Sequence, residues 1–172
     1  MIEKVVCMDF RRIPVRLVLA LSFCGAGFAQ FPLQPVQWAA SAIPKTPVKQ
    51  GSRIEIDLSA EVQQGWHVYG LTQGPGGPTP LRVTLDENGV VQTVGVKSAT
   101  APVKKHDPSF NIETDFYTQS FSLEIQTQVK QHAAAGNQSI PVSVSFQACN
   151  DRICLPPRTV HFSVPVEILP GA

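Results

Sequence analysis

The sequence predicts an all-β chain folded as an immunoglobulin-like antiparallel β-sandwich. Three observations carry this: period-two alternation of apolar and polar residues in most segments after residue 52, Pro and Gly punctuation between them, and no segment with a helical apolar stripe. Ile54, Ile56, Leu58, Ala60 and Val62 alternate with Arg53, Glu55, Asp57, Ser59 and Glu61, as in a strand with one buried face. Leu81, Val83 and Leu85 repeat the pattern, as do Phe121, Leu123, Ile125, Thr127 and Val129. So do Ile140, Val142, Val144, Phe146 and Ala148, and then Val160, Phe162, Val164, Val166 and Ile168. Weaker strands are expected from Trp66 to Leu71 and from Val90 to Val96, giving about seven in all. Glu87-Asn88-Gly89 supplies hairpin turn chemistry, because Asn and Gly tolerate positive φ. Two loops interrupt the pattern: QGPGGPTP from Gln73 to Pro80, and a long connection from Lys97 to Thr118 whose Phe110, Phe116 and Tyr117 argue against disorder.

The N-terminus has the layout of a secretory signal, with Lys4, Arg11, Arg12 and Arg16 preceding an apolar stretch from Leu17 to Phe28 and small residues around Ala29. Residues 1–29 are therefore expected to be removed. Residues 30–52 form a Pro- and Gln-rich segment that enters the domain as an irregular or edge piece, with Val36 and Trp38 able to pack, and residues 53–172 form the domain proper. The apolar run is too short to span a bilayer comfortably, and no other segment approaches the required length. An exported protein with no direct membrane span is expected, in a compartment that permits disulfides. The formal net charge of +1 for 172 residues becomes nearly neutral once the basic leader is gone. No basic block remains, which argues against nucleic acid as a partner.

Cleavage also removes Cys7 and Cys24, leaving Cys149 and Cys154 in the run FQACNDRICLPP as the remaining thiols. Alternation from Ile140 to Ala148 sends even-numbered residues into the core, so Cys149 is expected on the outer side of its strand and reachable. Asn150 to Ile153 then make a short connection, after which Cys154 lies within disulfide distance. Such a bridge is a poor staple: chain-entropy reasoning gives about 2 kcal/mol for a loop of roughly six residues, against nearly 5 for about 100. A short exposed bridge suits thiol exchange, in which an incoming thiolate reaches one sulfur and displaces the other. Arg152 favours a thiolate and Asp151 opposes it, so local charge does not settle the thiol pKa. Metal binding is disfavoured, since C-x4-C is not a usual zinc spacing and both methionines, Met1 and Met8, leave with the leader. His67, His106, His132 and His161 are scattered, and each reads as a surface or packing residue. No cofactor and no metal site is expected.

FQACNDRICLPP, preceded by a Ser/Val-alternating strand, resembles the active-site hairpin of the DsbD N-terminal periplasmic domain family. GWHVYGLTQGPGGPTPL, from Gly65 to Leu81, resembles that family's early aromatic strand and Gly-Pro loop, so the likeness runs from about Ile54 to Ile168. The resemblance implies a periplasmic immunoglobulin-like domain whose Cys149 and Cys154 are the redox pair. It implies a membrane-embedded thiol reductase and exported thioredoxin-like proteins as partners. It also implies a cap loop bearing a Phe: Asp107-Pro108-Ser109-Phe110 is the preferred match, with Phe110 as the lid, and Asp115-Phe116-Tyr117 is the alternative. Trp66 and Tyr69 match the aromatic strand. The family's multi-helix membrane region and thioredoxin-like domain have no counterpart in this sequence, so redox partners are expected in trans. The competing expectation is a non-enzymatic exported binding module whose hairpin disulfide is structural.

Overall fold

The computed structural model describes residues 33–108 and 110–171. The expected signal segment, residues 1–29, lies outside the described residues. Among them, the regular elements are all strands: β1 (Val36–Ile43), β2 (Arg53–Val62), β3 (His67–Tyr69), β4 (Arg82–Leu85), β5 (Val91–Ser98), β6 (Val103–Asp107), β7 (Ile112–Tyr117), β8 (Phe121–Val129), β9 (Gly136–Phe146), β10 (Ala148–Cys149) and β11 (Arg158–Ile168). They form three antiparallel sheets, in the orders β1-β2-β8-β5, β11-β9-β4 and β10-β3-β7-β6. The architecture is the immunoglobulin-like antiparallel sandwich that the alternation predicts.

The core follows from that alternation. Ile56 faces Ile125 and Leu58 faces Leu123 across the β2–β8 ladder, and all four are fully buried. From the opposite layer, Ile140, Val142, Val144 and Val164 join the same buried cluster. Each such side chain contributes about 1.5–3 kcal/mol by leaving water. Aromatic rings close one end: Tyr117 stacks on Phe121 at 3.9 Å, and Trp38 meets Phe121 edge-on at 5.5 Å and Phe146 at 5.4 Å. The Trp38 contacts explain why the segment of residues 30–52 contains an ordered edge strand, β1, paired along its whole length with β2.

Three local expectations are corrected. Asp86 to Val90 is not a hairpin, because β4 pairs with β9 whereas β5 pairs with β8, so the turn crosses between sheets. Asn88 Oδ1 accepts from the amides of Val90 (3.0 Å) and Val91 (2.8 Å), so side-chain capping rather than positive φ shapes the crossing. The stretch from Lys97 to Thr118 is not one long loop but the end of β5 followed by the β6–β7 hairpin. Its tip closes through the Asn111 amide donating to Asp107 O at 2.7 Å, with Asn111 at φ 55°. Nothing in the exposed run Val103-Lys104-Lys105-His106 alternates in burial, so β6 carries no strand signature of its own. Finally, the strand expected from Ile140 to Ala148 breaks after Phe146: β9 stays with β11 and β4, while Ala148–Cys149 move to β3 in the neighbouring sheet.

Candidate functional site

The change of sheet at Gln147 is what creates the site. β10 aligns Ala148 with Val68 and Cys149 with His67, and β3 in turn aligns Tyr69 with Phe116 of β7. Val68, Ala148 and Tyr117 point into the core. By period two, Cys149, His67, Tyr69 and Phe116 share the other face. Gly65 (φ 82°) turns the chain into β3, a left-handed conformation that favours glycine. Gly70 ends β3 where its amide donates to Asp115 O at 2.6 Å; a Cβ there would lie 3.2 Å from that oxygen.

Cys149 and Cys154 are joined by a disulfide, with sulfurs 2.02 Å and Cα atoms 4.0 Å apart. The intervening turn is held by one side chain: Asn150 Oδ1 accepts from the amides of Arg152 and Ile153, each at 2.9 Å. The Asn150 amide donates to Ile153 O (2.9 Å), and Leu155 N donates to Ala148 O (2.9 Å). Gln147 Nε2 adds a bond to Leu155 O at 3.1 Å.

The expectation that Cys149 is reachable does not hold. Cys149 lies on the face away from the core, as the alternation predicts, yet it is only 1% exposed, because that face is itself covered by its neighbours on β3 and by the returning hairpin. Cys154 is the exposed member of the pair. Both cysteines border an open groove of 1080 Å³, whose walls include Trp66, His67, Tyr69, Asp107, Pro108, Phe116 and Asp151.

Of the residues expected in a cap, Asp107 and Tyr69 line the groove, whereas Phe110 is not among its lining residues. Tyr69 Oη donates to Asp107 Oδ2 at 2.9 Å, tying the tip of the β6–β7 hairpin to β3. Burial first, and then the Asp107 carboxylate, push the Tyr69 phenol well above its ordinary pKa. Phe110, half-buried, meets the Tyr69 ring edge-on at 6.2 Å. Asp115-Phe116-Tyr117 is strand rather than loop: Phe116 packs on His67 at 5.2 Å, while Tyr117 belongs to the core. Trp66 borders the groove and is partly buried against the core.

His67 is the groove residue that sequence reasoning missed. Its ring is held between Tyr69 (5.1 Å) and Phe116 (5.2 Å). Desolvation lowers its pKa from the ordinary 6.5, with Asp107 and Asp151 partly opposing the shift. Its position two residues before Tyr69 on a strand was the available signal, since such residues share a face.

The sequence model described as "Thiol:disulfide interchange protein DsbD, N-terminal" matches residues 34–165. The chain belongs to this family. Among curated proteins, no sequence matches it. Of solved structures, the N-terminal periplasmic domain of ScsB from Proteus mirabilis is similar at 17% identity and a TM-score of 0.49, covering 80% of this chain and 48% of that one. BcpA, the major pilin subunit of Bacillus cereus, is similar at 16% identity and a TM-score of 0.43, covering 78% of this chain and 40% of that one. The chain thus spans about half the length of the first of these. As a DsbD N-terminal-type domain it has, among its described residues, no helix long and apolar enough to cross a membrane, and no cluster of His, Cys, Asp and Glu suited to a metal ion.

Proposed function

We propose that this DsbD N-terminal-type domain is a periplasmic thiol–disulfide exchange module, exported by a cleaved leader, that passes electrons through Cys149 and Cys154. The observation that carries this reading is the asymmetry of the pair: both cysteines border one groove, but Cys154 is exposed and Cys149 is buried. In the reduced protein, the Cys154 thiolate attacks a partner disulfide and forms a mixed disulfide. Cys149 then attacks Cys154 Sγ, closes the intramolecular bond and releases the partner as a thiol. Reduction of the module runs through the same steps in reverse. Family membership supports thioredoxin-like proteins and a membrane-embedded thiol reductase as the two kinds of partner. Asp107, Phe110 and Tyr69 act in this reading as the groove's cap and contact surface, with the Tyr69–Asp107 bond setting the position of the hairpin tip.

The test is covalent trapping. Cys149→Ser, incubated with a periplasmic extract, accumulates thiol-sensitive adducts through Cys154, while Cys154→Ser accumulates few. A reduction potential near about −200 mV accompanies exchange, whereas one below about −300 mV marks a structural bridge. Absence of adducts together with the lower potential would instead favour the non-enzymatic binding module.

A further inference from the structure

Resting on the exchange reading above, we infer that His67 is the proton acceptor for Cys149 when this buried cysteine resolves a mixed disulfide. Three geometric observations converge on it. Cys149 and His67 are directly opposed in the antiparallel β10–β3 pair, which sets their side chains on one face with Cβ atoms about 4.5–5.5 Å apart. The imidazole borders the same groove as both cysteines, so a proton taken from Cys149 has a route to water. Tyr69 and Phe116 flank the ring at 5.1 and 5.2 Å, fixing its place on the groove face that Cys149 shares.

Chemical need supplies the rest. A thiol ordinarily has a pKa of about 8.5, and Cys149, 1% exposed, has little water beside it to take up its proton. Near neutral pH such a group is almost wholly protonated and inert as a nucleophile. A neutral imidazole is a competent acceptor at that pH, and burial keeps His67 neutral. The charged groups facing the ring are Asp107 and Lys105 of β6 and Asp151 of the cysteine turn; the two carboxylates stabilise the imidazolium that forms, and Lys105 opposes it. His106 borders the same groove, and Tyr69, with its raised pKa, stays a neutral phenol.

The step balances. The Cys149 proton moves to His67, and the sulfur electron pair forms the bond to Cys154 Sγ. The bond between Cys154 and the partner sulfur breaks, and its electron pair leaves with the partner as a thiolate. The cysteine pair is oxidised by two electrons and the partner disulfide is reduced. In the reverse direction the imidazolium returns the proton to Cys149 as it departs.

An aryl disulfide, 5,5′-dithiobis(2-nitrobenzoate), separates the two halves of this cycle. Reduced protein releases a first equivalent of thionitrobenzoate when Cys154 attacks, and a second, at a rate independent of concentration, when Cys149 resolves. In His67→Phe and in His67→Gln, the ratio of the second rate to the first falls at least about tenfold near pH 7. That deficit closes as the pH rises past the thiol's own pKa, where hydroxide does the same work. A ratio unchanged in both variants, or lowered equally at every pH, overturns the role of His67 and leaves the exchange reading standing. Wild-type protein that never releases the second equivalent overturns the exchange reading itself.

Discussion

Replacing Tyr69 by Phe isolates one bond in the groove wall. The ring stays, with its contacts to His67 and Phe110, and only the hydroxyl donating to Asp107 Oδ2 at 2.9 Å is lost. A hydrogen bond to a charged acceptor contributes about 1.5–3 kcal/mol. Asp107 is half-exposed at the groove rim and regains water when the hydroxyl goes, which lowers the expected loss to the floor of that range or just beneath it, about 1–1.5 kcal/mol. This loss falls on the tip of the β6–β7 hairpin, whose closing bond is the Asn111 amide to Asp107 O. At 1.4 kcal/mol per tenfold, the open population of the tip rises about fivefold to tenfold. Native-state hydrogen exchange at the Asn111 amide reads that population directly, and it is expected to speed up by the same factor while the amides of β2 and β8 keep their protection. An Asn111 exchange rate within twofold of wild type would refute the reasoning. So would a uniform acceleration of the Asn111 amide and those of β2 and β8, because the loss would then be global.

Asn150→Ala removes the one acceptor shared by the amides of Arg152 and Ile153; the turn that apposes the cysteines loosens, and a redox titration against glutathione is expected to show a potential up to about 30 mV more oxidising. Leu58→Ala, at a fully buried position opposite Leu123, is expected to cost about 2–5 kcal/mol in urea unfolding without changing that potential. His67 is neutral in the fold at pH values where the unfolded chain binds a proton, so stability falls as the pH drops below 6.5; denaturation midpoints of His67→Phe are expected to vary less between about pH 5 and 7. Tyr69 has the opposite linkage: its raised pKa contributes stability that is fully present below about pH 10 and is lost as the pH climbs toward the folded value, and Tyr69→Phe is expected to flatten that alkaline limb.

Legibility in the sequence tracked how many residues wrote each feature. Strands β2, β8, β9 and β11 each bury a regular face, so alternation announced them. β6 buries nothing regularly and was invisible, and its exposed Lys104, Lys105 and His106 read as loop. The Cys149–Cys154 hairpin was legible because the spacing is local. The burial of Cys149 was not, since it depends on which strand lies alongside, and the β10–β3 pairing joins residues far apart in sequence. For the same reason His67 read as one scattered histidine among four.

Both ends of the cysteine hairpin are anchored by the β9–β11 ladder, which is paired without a break from Phe146 and Arg158 down to Gly136 and Ile168. When the disulfide opens, the two thiols are therefore not released into a flexible loop. Their effective concentration toward each other stays high, because most of the entropy of bringing them together has already been lost in folding. In the proposed cycle, ring closure by Cys149 then outruns competition from free thiols in solution, so a partner engaged at Cys154 is discharged quickly rather than held. Under the proposed exchange reading, the lifetime of a partner complex is thus set by the sandwich beneath the sulfurs as much as by the sulfurs themselves.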